Sequence, residues 1–148
     1  MKTIFDKSTR DELIRRINTL TESSTAQWGK MNVYQMLKHC VRCEELYLGK
    51  RMVKRAFMGR LFGKIGLRNI LKDEKPLGRN APTSPHFKIA ETSGAFDVEK
   101  QKWIALINEY ATFSAPHFVH WFFGKMTKEQ VGQFVYKHTD HHLRQFGS

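Results

Sequence analysis

MTKEQVGQFVYKHTDHHLRQF, residues 126–146, is the stretch on which the fold turns. Thr127 followed three residues later by Gln130 is a capping-box pair, each side chain accepting a backbone N–H at the other's position, and Met126 can pack onto Val131. A helix therefore starts here. Val131, Phe134 and Val135 recur at helical spacing as one apolar stripe, and the same spacing carried onward lands on His138, His142 and Gln145. Two imidazoles stand where a helix bundle ordinarily places leucine. His141 falls at the edge of the stripe, while Lys137, Asp140 and Arg144 fall mostly outside it. Histidines four residues apart on one helical face can hold a single divalent ion, the spacing of the helical zinc-protease motif.

Three further helices can be read outward from this one. In MNVYQMLKHCVRCEELYLGK, residues 31–50, Asn32 and Gln35 form a second capping pair, Met31 can pack on Met36, and Gly49 is placed to end the helix. Its stripe runs through Val33, Met36, Leu37, Cys40, Val41 and Leu48. Near the N-terminus, Ser8 with Asp11 predicts a helix start ahead of Leu13, Ile14, Ile17 and Leu20. Asp97 is expected to cap a helix whose inward face is Trp103, Ile104, Ile107, Tyr110 and Ala111.

Between the second and third of these core helices lie two unusual segments. Residues 52–71 keep helical apolar spacing through Val53, Phe57, Leu61 and Ile65, but Gly59, Gly63 and Gly66 predict one broken helix or two short ones. Residues 50–72 also hold Lys50, Arg51, Lys54, Arg55, Arg60, Lys64, Arg68 and Lys72 with no acid among them. The following 73–96 carries three of the four prolines and little periodicity, so it reads as a long loop of the kind that forms lids or binding walls. No alternating strand pattern is visible. The fold class is all-α: a four-helix bundle with an extra basic helical segment and a long loop between the second and third core helices.

The 148 residues, 41% hydrophobic, suffice for one core, and a single domain over 1–148 is expected. No run of apolar residues approaches a membrane span, and the start of the chain turns charged before a signal core could form, which makes a cytoplasmic protein the expectation. Cys40 and Cys43 share a helix, where a relaxed disulfide does not form, and they read as core or ligand-supporting residues of a reducing compartment. The net charge of +11 draws the chain toward phosphates, anionic lipids and carboxylates.

A metal held by His138 and His142 needs a third ligand. His39 is the best placed, at the edge of the second helix's inward face beside Met36 and Cys43. Three imidazoles leave coordination positions open to water or substrate, the arrangement of a catalytic site. Such a set accepts zinc or nickel first, with iron or copper as further choices. Glu44, Glu45, Asp140 and Gln145 are candidates to orient the rings. His117 and His120 either line the same pocket or serve loop carbonyls, the second reading being preferred, and Phe118, Trp121, Phe122 and Phe123 are read as plugging one end of the bundle.

The segments QWGKMNVYQMLKHC and YKHTDHHLRQF together resemble the DinB/YfiT-like superfamily of metalloenzymes. LKDEKPLGRN, FFGKMTKEQ and KHTDHHLRQFG look like one subfamily of it known as a domain of unknown function. The resemblance covers nearly the whole chain. It implies a four-helix bundle whose divalent metal is bound by one histidine of the second helix and two of an HxxxH pair on the last, here His39, His138 and His142. It also implies thiol-dependent transferase or isomerase relatives, with a low-molecular-weight thiol on the metal.

The leading reading is thus a metal-dependent thiol S-transferase or hydrolase acting on a small molecule, with 73–96 as a pocket wall and a homodimer as one assembly. No general base is named. The alternative is a non-catalytic basic module whose 50–72 segment lies against nucleic acid or an anionic surface.

Overall fold

The computed structural model describes residues 1–81, 83–114 and 118–148. Its helices are α1 (Lys7–Thr19), α2 (Val33–Tyr47), α3 (Phe57–Leu71), α4 (Phe96–Glu109) and α5 (Lys128–Gln145). α2 packs on α4 and α5, and α1 packs on the same two, which closes α1, α4, α2 and α5 into a four-helix bundle. α3 stands outside it against α5. The chain is mostly helical, with one small antiparallel hairpin, β1 (Val119–His120) with β2 (Gly124–Lys125), inside the aromatic connection where no strand was expected.

Both capping boxes form as read, at Asn32 with Gln35 and at Thr127 with Gln130. The other two starts differ. α1 begins one residue after Asp6 with no side-chain cap, and Ser8 lies within the helix. α4 is preceded by Ala95, so Asp97 sits in the first turn, where with Glu99 it faces the positive end of the helix dipole instead of capping. Ala111 is exposed, because the chain tightens into a 3-10 turn at Tyr110–Thr112 and leaves the α4 register.

The core is Leu13 and Ile17 from α1, Met36 and Leu37 from α2, Trp103 and Ile107 from α4, and Val135 and Leu143 from α5, all fully buried. Glu44 is buried with them, accepting from the Tyr110 hydroxyl and, at 3.2 Å, from Thr139 Oγ1. Burial pushes its carboxyl up to about 7 against those hydrogen bonds. Lys137 and Asp140 are also buried, contrary to the expectation from the stripe. α5 is flanked by α1 and α3 as well as by α2, so more than one of its faces is covered. Asp140 accepts from Arg16 (2.8 Å) and Arg144 (2.7 Å), and Lys137 donates to the carbonyls of Ile70 and Asp73 at the end of α3.

α3 is one unbroken helix rather than two pieces. Its glycines are what hold it to the fold: a Cβ at Gly59 or Gly63 would collide with the Phe122 carbonyl, whereas one at Gly66 would meet only the Phe123 and Phe122 rings, at 3.7 and 3.9 Å. The two classes of site predict opposite signs within one helix. Gly63→Ala should destabilise by about 1–2 kcal/mol, because a main-chain carbonyl cannot step aside cheaply. Gly66→Ala should stabilise by about 0.5–1 kcal/mol through helix propensity. Urea melts of the two variants check this, and equal signs would show that the glycines do not set the α3 contact.

Phe118 and Phe123 are buried around Tyr47 and Phe134 at one end of the bundle, with Trp121 and Phe122 partly covered. His120 joins this cluster, but it serves amides instead of carbonyls: its Nδ1 accepts from the backbone N–H groups of Phe122 and Phe123, both at 3.1 Å. His117 lies outside the described residues.

Candidate metal centre

His39 leaves α2 toward α5, where His138 and His142 stand one turn apart. One ring nitrogen from each of the three lies within 4.8 Å of the others. Ring centroids are 4.7 Å apart for His138 and His142, 4.8 Å for His39 and His142, and 5.6 Å for His39 and His138. The convergence follows from register: His39 lies one turn past Met36 on the side of α2 that packs on α5, and the two α5 histidines continue the Val131–Phe134–Val135 face.

Hydrogen bonding decides which nitrogen two of the rings offer. His39 Nδ1 is 2.9 Å from the Phe87 carbonyl, which can only accept, so that nitrogen carries the proton and Nε2 keeps its lone pair. Cys43 Sγ is 3.6 Å from that Nε2. For His142 the argument has two steps. Gln145 donates through Nε2 to the Trp28 carbonyl (2.8 Å), which turns its Oε1 toward His142 Nδ1 at 2.9 Å and places the proton there. Gly29, at φ +84°, gives the Gln145 amide its room, since a Cβ there would sit 2.6 Å from Gln145 Nε2. His138 Nδ1 is buried with no partner among the described residues. A ring with a buried, unpartnered nitrogen, standing against two rings whose Nδ1 atoms are already engaged, fits a site for a cation.

Burial lowers the proton affinity of all three rings, and at His138 and His142 the neighbouring imidazoles lower it further. Neutral rings are the form that binds a metal. Burial raises the Cys40 and Cys43 thiols, which form no disulfide and stay protonated while no cation lies beside them.

His141 does not join the trio. It lines a neighbouring cleft of about 330 Å³ with Gln27, Trp28, Leu77, Arg79 and Arg144, its ring 5.2 Å from that of His142. Arg79 lies over the Trp28 ring at 4.3 Å. Of the four residues considered as orienting partners, Gln145 alone touches a ring of the trio; Glu44 bonds Tyr110 and Thr139, Glu45 pairs with Arg51, and Asp140 pairs with two arginines.

The 73–96 loop reaches the site in a way the sequence did not announce. Asn32, Gln35, His39 and Arg42, spaced along one face of α2, contact the carbonyls of Thr92, Ile89, Phe87 and Lys88. A loop with little regular structure of its own thereby finds donors for its backbone, and the Phe87 carbonyl is set against His39.

Against known proteins, the family model of the DinB superfamily matches residues 6–146. No curated protein and no solved structure matches the chain. With nearly its whole length covered, the chain belongs to the DinB superfamily.

Proposed function

We propose that this member of the DinB superfamily is a divalent-metal-dependent enzyme of thiol S-transferase or hydrolase type, with His39, His138 and His142 as the ligands. The observation that carries this reading is the mutual 4.8 Å approach of three ring nitrogens, two of them on rings whose opposite nitrogen is already engaged. A cation bound by three neutral imidazoles keeps its full charge and lowers the pKa of a coordinated water or thiol into the neutral range. The chain's own residues do the rest. Phe87 and Gln145 hold two rings in one tautomer, and the apolar surround of Tyr47, Phe87 and Phe134 limits water around them. Arg79 on the cleft wall offers an anionic substrate a counter-charge beside the site.

Elemental analysis of untagged protein purified without chelator should find about one divalent ion per chain, zinc or nickel foremost, and none in His39→Ala. Protein loaded with cobalt should develop a thiolate-to-metal charge-transfer band when a low-molecular-weight thiol such as glutathione is added. Absence of bound metal in the wild type removes the reading; metal without the thiol band favours the hydrolase branch.

Gln145→Leu is expected to lower metal affinity by about 10- to 100-fold, because His142 loses the partner that fixes its tautomer. Competition with a chromophoric chelator measures it, and unchanged affinity would show that the Gln145 contact is incidental.

A further inference from the structure

Folding leaves α3 with its apolar side outward. Its side chains fall into four parallel rows, each stepping four residues along the helix. Gly59, Gly63 and Leu67 form the buried row against the protein. On the opposite side, Phe57, Leu61 and Ile65 form one row and Met58 and Phe62 the next, each of the five more than half exposed. Arg60, Lys64 and Arg68 run along the flank between the buried and the apolar rows, all exposed, with Lys54 and Lys72 exposed beyond the two ends. Among the described residues none of these five cations is in an ion pair.

Five large apolar side chains in water on one helix are a patch that wants a cover. The charges say which. Two copies of this face brought together would oppose cation to cation, with no acid between Lys50 and Lys72 to relieve them. Nucleic acid would meet the cationic flank but leave the apolar rows wet. An anionic bilayer takes both: apolar side chains enter the acyl boundary while lysine and arginine stems reach back to lipid phosphates. No described helix is long and apolar enough to cross a membrane, so the contact is one of lying on the surface.

We propose that α3 docks the protein on an anionic lipid surface, its two apolar rows in the headgroup–acyl boundary and its cationic flank on the headgroup phosphates. This is a property of the outer face of α3 and does not depend on the metal reading.

Sedimentation with phosphatidylcholine vesicles containing or lacking phosphatidylglycerol tests it on the 148-residue chain. Binding is expected only to the anionic vesicles and should weaken as salt rises. Arg60→Gln with Arg68→Gln should cost about 25-fold on those vesicles, at about fivefold per cation near such a surface. Leu61→Glu with Phe62→Glu should abolish binding. All four side chains are exposed, so circular dichroism and melting temperature should stay at wild-type values. Equal binding to both vesicle types, or none, overturns the proposal. So does tight binding of duplex DNA or RNA unaffected by the Leu61 and Phe62 changes, which would assign the face to nucleic acid. A dimer in analytical ultracentrifugation that the Leu61 and Phe62 changes dissolve would assign it to a second copy and overturn the proposal equally.

Discussion

Replacing His138 and His142 together by leucine is expected to abolish metal binding, and each replacement alone should weaken it by more than the roughly 10- to 100-fold that follows loss of an orienting partner. The structure separates the two singles by their effect on the metal-free fold. His138 Nδ1 is buried without a partner, and its ring lies among Tyr47 and Phe134, so a leucine there removes a desolvated polar atom and continues the apolar stripe. His138→Leu should leave the metal-free protein as stable or more so. His142→Leu strands the Gln145 Oε1 in a buried setting and should cost about 1–3 kcal/mol. Chelator competition reads the affinities, and urea melts in excess chelator read the stabilities. A His142 variant that binds metal like the wild type would sink the ligand assignment. Equal stability of the two single variants would show that the Gln145 hydrogen bond contributes little.

Acid should destabilise the fold through His120 by several kcal/mol, on the order of 1.4 per pH unit of lowered pKa. Burial first, then the Arg55 guanidinium, lowers its pKa from 6.5 to about 3, and its Nδ1 cannot carry a proton while it accepts two amide hydrogens. Between those values the unfolded chain binds a proton that the folded chain excludes. The stability is therefore fully present above pH 6.5 and is lost as pH falls toward 3, at about 1.4 kcal/mol per pH unit and roughly 4–5 kcal/mol across the window. His39, His138 and His142 add loss of the same sign, since burial lowers them too. Glu44 works the other way: with its pKa raised to about 7, its contribution is greatest below the unfolded carboxylate value and is lost as pH rises toward 7. A difference measurement isolates His120. In His120→Asn the side-chain oxygen can still accept an amide hydrogen but does not titrate, so the free energy of unfolding should fall less steeply between pH 6.5 and 4, by about one proton's worth of slope. Parallel pH profiles of variant and wild type would refute the assignment.

Much of the bundle and of the candidate centre was legible before folding because it rests on local rules. Capping at Asn32 and Thr127 depends on residues three apart, and the phase of the α5 stripe carries His138 and His142 onto the inward face by spacing alone. His39 followed from the same kind of phase on α2. Where a local rule had a competitor it failed: Ser8 and Asp97 are good capping residues, but the chain enters α1 at Lys7 and α4 at Phe96, so both are taken into the first turn, where an exact helix start is set by one or two residues of backbone conformation.

Tertiary packing decided the rest. Asn32 and Gln35 read as a capping pair and His39 as a candidate ligand, but nothing in them or in Arg42 marks the 73–96 loop as a partner, because the partners are main-chain carbonyls, which every residue has and no side-chain pattern marks. The Gln145 contact to His142 depends on the Trp28 carbonyl, more than a hundred residues away in sequence, for its orientation. α3 is the clearest case. Apolar spacing at Phe57, Leu61 and Ile65 and small spacing at Gly59 and Gly63 lie on opposite sides of one helix, and either could have faced the protein. Close backbone approach to Phe122 selected the glycine side and turned the apolar one outward. Periodicity thus determined which residues share a face; which face is covered depended on the shape of the surface it met, and that exists only in the folded chain.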